Sequence, residues 1–444
     1  MFDVIVVGAR CAGSPLAMRL AAQGHKVLVV DKATFPSDTL SSHLFLPRGT
    51  TYLAEMGLFD RIAAVTPWYE TMTVDFEGIV LNGTVSEAAL RKRFRALHGT
   101  EPKRPMTRWM SVRRRTLDKI LVDAAADAGA EIREGFKVEA LLRDGDRVVG
   151  IRGRTKSGTT VEERAKVVIG ADGRHSFVVG ELDLPRLHEQ KSVSFCYFGY
   201  YHGFNLDGIG GPQLVKRGRL RAAVVPTNDG LYGVTIFGPL EWFHACRHDL
   251  ERNFLRAVEY CSPAMAELIR PEGRRDERLL GTADLDNVMR PTSGPGWALA
   301  GDAAMSEDQC TAIGMTHALR DAELLSSELN VALRGDRTID EALRRYSERR
   351  LADHVLEYHE FVSEESHMHA LSREQLELYA AMRTNPEATY ESVGMMADVI
   401  PPSEFFDDAH IDAIRAKGNT SIDDSPIVKE WDRYQAFYRE NPFA

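Results

Sequence analysis

FDVIVV at positions 2–7 is apolar but for Asp3, with VIVV unbroken at 4–7, and VLVV at 27–30 is again an unbroken apolar run. An unbroken apolar run of that length, ended by glycine or an acid, fits a strand buried on both faces. Residues 14–23 between them read as a helix, so the chain opens with a β-α-β unit that ends at Asp31. Positions 35–46 are rich in Ser, Thr, Pro and Asp and predict a loop; 46–56 predicts a helix. Residues 68–104 alternate only weakly and receive no assignment. A helix over 114–128 stops at Gly129. Strands at 131–134, 139–143, 147–154 and 160–164 are joined by Asp-Gly and Ser-Gly turns, and 166–170 is a further buried strand.

From 191 to 240 the pattern changes to long strands with many aromatics, at 192–201, 220–226 and 232–237. Helix is expected over 241–266, a strand over 297–300, and helices over 316–332 and 340–369. The remainder to 444 reads as mostly helical, interrupted by Pro386, Pro401, Pro402 and Pro426. The expected fold is α/β and interleaved. A Rossmann-like, nucleotide-binding type of unit takes residues 1–80, 105–185 and 280–330. An antiparallel-sheet substrate unit takes 81–104 and 186–279, and a helical C-terminal region takes 331–444.

Composition changes this picture little. Hydrophobic residues are 44% and charged residues 27%, ordinary for a globular protein. The net charge of -10 argues against a nucleic-acid partner. No stretch supplies the roughly 18–20 apolar residues of a membrane span, and no basic segment precedes the first apolar run, so a cytoplasmic protein is expected. The five cysteines form no CxxC and are expected as reduced thiols. Of His354, His359, His367 and His369, the first two do not share a helical face and no carboxylate set completes a site; a solvated face and no metal are expected. The tail, with Tyr358, Phe361, Tyr379, Phe405, Trp431 and Tyr438, is expected to pack across both units or to form a homodimer surface.

Four motifs carry candidate chemistry. Gly8-Ala9-Arg10-Cys11-Ala12-Gly13 stands between strand and helix, with Arg10 where a dinucleotide fingerprint has its middle glycine. Gly8 permits the tight turn, Gly13 the close helix–strand approach, and the helix N-terminus offers N–H groups to a pyrophosphate. Asp31 ends the second strand, where a carboxylate can bond ribose hydroxyls; Arg10 could place its charge over a phosphate. Arg113-Arg114-Arg115 open a helix, where cations oppose the macrodipole and suggest a nearby anion. Gly170-Ala171-Asp172-Gly173-Arg174-His175-Ser176 follows a buried strand. Gly301-Asp302-Ala303-Ala304 follows another and runs on to Thr311-Ala312-Ile313-Gly314-Met315-Thr316-His317-Ala318.

In this order the four motifs resemble the FAD-dependent monooxygenase superfamily of the aromatic-hydroxylase type, over roughly residues 1–330. That superfamily borders geranylgeranyl-reductase-like and flavin-halogenase branches. The resemblance implies that Gly8, Arg10, Cys11, Ala12, Gly13, Asp31 and Lys32 surround the ADP part of FAD. It implies that Arg114 contacts the ribityl and ribose region, and that Asp172 serves FAD and is linked to NADPH or NADH use. Gly301 and Asp302 would hold the ribityl chain, and Ile313, Gly314 and Met315 would present N–H groups to the isoalloxazine. Met305 and Gln309 stand where the family often has His and Pro, and Val179 where it often has Arg. The W-x-W-x-I-P segment of flavin-halogenases is missing, and the aromatic-Trp-Phe-Pro segment of the reductase branch is not evident.

The implied activity is NAD(P)H-dependent hydroxylation of an aromatic or other electron-rich small molecule through a flavin C4a-hydroperoxide, a chemistry the cofactor carries. The substrate would lie against the second sheet. By alternation Phe195, Tyr197 and Tyr201 share one face and Cys196, Phe198, Tyr200 and His202 the other. Tyr197 and Tyr201 are the substrate candidates, and His43 and His202 the candidate catalytic residues. Two rivals remain: an FAD-dependent reductase or dehydrogenase without oxygen insertion, and a non-catalytic flavin-holding interaction protein.

Overall fold

A computed structural model describes residues 1–272, 274–423 and 441–443. Its centre is an eight-stranded sheet. In spatial order the strands are Ser293–Gly294, Trp297–Leu299, Thr160–Gly170, Phe2–Val7, Val27–Asp31 and Glu131–Glu134, with Lys137–Asp144 and Arg147–Arg154 branching antiparallel from the long one. Trp297–Leu299 through Glu131–Glu134 pair in parallel, and Val4 lies level with Val27 and Val167. Val4, Val6, Val29 and Ile169 face the helices Gly13–Ala22, Arg114–Asp127 and Gly314–Leu333. Ile5, Val7, Leu28 and Val30 face the antiparallel branch through Val138, Val148 and Ile151. Both faces are covered, which is why the two opening runs are apolar without alternation.

The turn after the first strand is set by contact between backbones. Gly8 has φ 105°, and a Cβ there would lie 2.3 Å from the Ala171 carbonyl oxygen. A Cβ on Gly13 would lie 1.8 Å from the Gly8 carbonyl oxygen. Strand, helix and the 170–176 turn therefore meet at two positions that admit no side chain.

A second, seven-stranded sheet stands apart from the first: Leu280–Thr282, Ser194–Tyr201, Tyr232–Pro239, Leu220–Pro226, Gln213–Arg217, Met72–Phe76 and Ile79–Gly83. The hairpin from Met72 to Gly83 belongs to it, so the boundary expected at residue 80 falls inside this sheet. The unassigned stretch also holds a helix, Glu87–His98, begun by the Ser86 cap and ended by Gly99 in the left-handed region. The helix expected over 241–266 breaks at Asp249 and Ser262 into three short ones. The one expected over 340–369 breaks at His354, with φ 55°, into Ile339–Leu351 and Val355–Ser366.

The tail packs on both units. Ile339–Leu351 lies along Gly314–Leu333, and Arg373–Arg383 covers the edge of the second sheet, where Tyr379 stacks on Phe76 at 4.0 Å. Residues 424–440, with Pro426, Trp431 and Tyr438, lie outside the described residues. Among the described residues no helix is long and apolar enough to cross a membrane.

A buried ionic network joins tail to core. Asp353 accepts from Arg48 at 2.7 Å and lies 3.0 Å from Arg93 and 3.4 Å from Arg320. Asp398 pairs with Arg48 and sits 3.4 Å from Arg93 and 3.3 Å from His317. Asp321 accepts from Arg320 at 3.0 Å and Arg350 at 3.1 Å. All of these side chains are buried. Removing one partner of such a network leaves charges uncompensated in the interior. Asp353→Asn is therefore expected to lower unfolding free energy by about 3–5 kcal/mol, read as a shifted urea midpoint; an unmoved midpoint would refute it. Gly13→Ala must push the first helix off its strand and is expected to cost about 4 kcal/mol or more, read as a large fall in Tm.

Candidate functional site

Three segments, 8–13, 170–176 and 301–316, converge at the carboxyl ends of the parallel strands, where open α/β sheets bind ligands. Gly301 closes the set: with φ 60°, its Cβ would lie 2.9 Å from that of Ala12. Its N–H donates to Asp321 at 3.1 Å, which links this corner to the buried network.

At the first segment, the N–H groups of Arg10, Cys11, Ala12 and Gly13 donate to no acceptor among the described residues. They stand free at a helix N-terminus, a ready anion site. Asp31 accepts from the N–H of Ala9 and of Ala33, each at 2.8 Å, which fixes its carboxylate beside the turn; Lys32 is exposed next to it. Arg10 does not need a phosphate: it pairs with fully buried Asp118 and donates to Ser37 at 3.0 Å. Arg114 donates to the same carboxylate at 3.0 Å, and Cys11 lies 3.7 Å from it with its thiol pushed up to about 12 by burial. Arg113 pairs with Glu277 at 2.7 Å. The anions that the three arginines called for are thus partly the protein's own.

Asp172 is engaged within its own motif. It accepts from the Ser176 hydroxyl at 2.5 Å and from the N–H groups of Phe177 and Val178 at 2.7 and 3.3 Å, capping the short helix Phe177–Glu181. Burial raises its carboxyl pKa despite these bonds. Arg174 bridges to the third segment, donating to the Glu307 carbonyl at 2.9 Å.

The third segment holds the free groups. Asp302 has no hydrogen-bond partner among the described residues, and burial raises its pKa against the pull of Arg174 and Arg114. Ala312 takes the left-handed conformation at φ 58°, after which Gly314–Leu333 begins. The N–H groups of Ile313, Gly314 and Met315 donate to no acceptor among the described residues. The buried Gln309 Oε1 and Thr311 Oγ1 are also unpartnered. Asp308 anchors the loop to the second sheet through Ser194 and caps Cys310 at 2.9 Å. Free N–H donors at two helix starts, glycines too close for a Cβ, and an unpaired acceptor between them fit the phosphates, hydroxyls and ring edge of FAD.

The second sheet meets this site with one face. His43 packs edge-on to Phe198 at 5.4 Å, and its Nε2 lies 2.6 Å from the Tyr200 hydroxyl. The Arg113 guanidinium sits 4.0 Å over the Tyr200 ring. Burial, with Arg114 and Arg113 nearby, holds the His43 pKa down to about 3, so the ring is neutral; its buried Nδ1 has no partner. Tyr197 and Tyr201 are on the opposite face: Tyr197 stacks on Phe243 and Tyr201 on Phe254, under the helices that cover the sheet's outer side. His202 is exposed at the strand end, with its N–H on the Arg274 carbonyl. Pleating thus turns Tyr197 and Tyr201 away from the face that carries Phe198 and Tyr200. The tail histidines are also corrected: His359 is buried and bonds the His188 carbonyl at 2.8 Å.

Phe198 and Tyr200 were not chosen from sequence, although both lay in the alternate set of the same strand, and Arg113 was marked only as one of three cations at a helix start. Asp118 closes the Arg113–Asp118 motif but had no role assigned to it, and Asp308 carried no motif; both are found through their partners. Two surface cavities, about 700 and 650 Å³, are lined by none of the three converging segments.

Known proteins bear on the fold and the cofactor. Residues 1–203 match the FAD binding domain family. The digeranylgeranylglycerophospholipid reductase of Methanocella arvoryzae is 25% identical over 350 residues, covering 78% of this chain and 81% of that protein. The p-nitrophenol 4-monooxygenase of Pseudomonas putida DLL-E4 superposes with TM-score 0.69 at 20% identity, over 94% of this chain and 98% of that one. The flavin-dependent brominase Bmp2 superposes with TM-score 0.71 at 17% identity, over 97% and 99%. At these identities the two structures speak for the fold. Residues 1–203 thus carry a domain of the FAD binding domain family, and the chain is an FAD-dependent oxidoreductase whose fold is shared with a monooxygenase and a brominase and whose sequence is similar to a geranylgeranyl-type reductase.

Proposed function

We propose that the protein is a monooxygenase that uses NADPH or NADH and O2 to hydroxylate an aromatic or other electron-rich small molecule. The observation that carries this reading is the wall of Phe198, Tyr200 and neutral His43 set opposite the cofactor segments. Bound FAD supplies the redox and oxygen chemistry. The N–H groups of Arg10 to Gly13 take the pyrophosphate and Asp31 the ribose, while Asp302 accepts from the ribityl chain. The free N–H groups of 313–315, at the positive end of Gly314–Leu333, stabilise negative charge on the ring edge. Phe198 and Tyr200 orient an aromatic ring and exclude water. His43 meets a polar group of the substrate through Nδ1, as an uncharged donor or acceptor.

A reductase without oxygen insertion is the second reading, favoured by the length over which the Methanocella reductase aligns. Product mass separates them. Purified protein is expected to carry the visible absorption of FAD, and turnover with candidate phenols to give products heavier by one oxygen atom. Products gaining two hydrogens and no oxygen would establish the reductase reading, and a protein colourless even after FAD is added would remove both.

The state of His43 has its own check. Its folded pKa lies below the unfolded value, so its contribution to stability is present above about pH 6.5 and is lost as pH falls toward about 3. Its ring resonances are expected to stay fixed by NMR between about pH 8 and pH 5, where a solvated imidazole titrates. A midpoint near the ordinary histidine value would show a solvated ring and undo the role given to it.

A further inference from the structure

The cavity of about 700 Å³ opens between the segment 289–295 and the helix Ile339–Leu351. Side chains hold the two together: the Ser347 hydroxyl lies 2.7 Å from that of Thr292 and 2.8 Å from that of Ser293. Ser293 also donates to the Leu343 carbonyl at 3.2 Å. Arg290 stands two positions before Thr292, and Arg350 three after Ser347, on the same helical face. Both arginines line the cavity.

Neither guanidinium is fully satisfied. Arg290 is 9% exposed and makes no hydrogen bond or ion pair among the described residues. Its Nε and Nη1 are buried without an acceptor, and its Nη2, also unbonded, is open. Arg350 is 1% exposed; its Nε donates to Asp321 at 3.1 Å, but its Nη2 is buried without an acceptor. The other charges of the wall are paired, Asp340 with Arg147 at 2.8 Å and Glu348 with Arg344. Burial, then the Arg186 and Arg174 charges, weighs against the Arg290 cation; Asp302 and Glu189 favour it without reaching ion-pair contact. Glu189 is engaged by Arg186 at 3.1 Å. A buried donor without an acceptor is costly, and here several point to one place. Leu187, Met289, Pro291, Leu343 and Leu351 supply an apolar wall beside them. An apolar cavity of roughly 300–1,000 Å³ with a few convergent polar groups is the make-up of a small-molecule site.

We propose that this cavity binds a phosphate monoester, with the phosphate at Arg290 and Arg350 and an apolar body along the leucines. Such a phosphate brings three terminal oxygens to the orphaned nitrogens, and the planar fork of an arginine binds it bidentately. The site is distinct from the cofactor cleft, because no residue of 8–13, 170–176 or 301–316 lines it. It borders that cleft through one bond, from the Arg290 N–H to the Ala304 carbonyl at 3.0 Å. It does not depend on the hydroxylation proposed above.

The test titrates the flavin-loaded protein with butyl phosphate, inorganic phosphate and butanol by calorimetry. Butyl phosphate is expected to bind about tenfold or more tighter than inorganic phosphate, because its chain covers apolar wall. Butanol, without the phosphate, is expected to give no heat of binding. Arg290→Met is expected to keep its flavin and to weaken butyl phosphate by about tenfold or more. Arg290→Lys keeps the charge but loses the fork, and is expected to weaken it by about threefold or more. No binding of butyl phosphate to the unaltered protein overturns the proposal, as does an affinity that survives Arg290→Met. Flavin lost from Arg290→Met also overturns it, since the cation then belongs to the cofactor site. If Arg290→Met does not fold, weakened binding in Arg290→Lys supports the proposal and unchanged binding overturns it. Competition names the source of the phosphate. Displacement by NADPH and not by NADH identifies the reductant's 2′-phosphate, and displacement by neither identifies a separate phosphorylated ligand. Equal displacement by both would mean a pyrophosphate site and overturn the monoester.

Discussion

The structure depends on charge buried where water does not reach. Arg48, Arg93 and Arg320 come from three helices of the first 330 residues, and Asp353 and Asp398 come from the tail. None of these groups is stable in the interior alone, because desolvation of an ion exceeds what a single imperfect pair returns. Together they are tolerable only in one arrangement, so the network specifies position more than it adds stability. What it positions is the helix Gly314–Leu333. Arg320 and His317 lie on that helix, and Asp321, its next residue, also holds the N–H of Gly301. The corner that offers free N–H groups to a cofactor is thus braced from behind by ion pairs.

A second economy of charge governs the front of the site. The protein satisfies Arg10 and Arg114 with Asp118, and Arg113 with Glu277, leaving the backbone donors unspent. An arginine in place of the middle glycine becomes intelligible in this light. Its side chain ties the first turn to the helix Arg114–Asp127 and to Ser37, while its N–H remains with the other free donors. Among the described residues the Asp302 carboxylate is left without a hydrogen-bond partner at the cofactor segments.

Much of the first unit was legible because local rules and the tertiary structure agree there. Two doubly buried strands read as apolar runs, and glycines stand where no Cβ fits. The second sheet was legible as strands, but not in its orientation. Strand Ser194–Tyr201 is buried on both faces, one under helices and one toward the cleft, so alternation divides it without saying which set faces which layer. That is why Tyr197 and Tyr201 stood as candidates and Tyr200 did not. The hairpin Met72–Gly83 was illegible for a different reason: its strand pairs in parallel with Gln213–Arg217, a partner far along the chain. Breaks at Asp249, Ser262 and His354 interrupt stretches whose composition is helical throughout, and only packing selects them.

The reach of the ionic network also fixes when the molecule is complete. A chain still being synthesised has all three converging segments, 8–13, 170–176 and 301–316, in hand by residue 330. At that point Arg48 and Arg93 face the interior with no carboxylate, and Arg320 has only Asp321. The interior becomes neutral only after Asp353 and then Asp398 emerge, so the nascent unit must wait, open or held, for more than sixty further residues. The tail is thus a late part of the cofactor unit's core, and the order of synthesis, as much as the final contacts, decides when a flavin can first be enclosed.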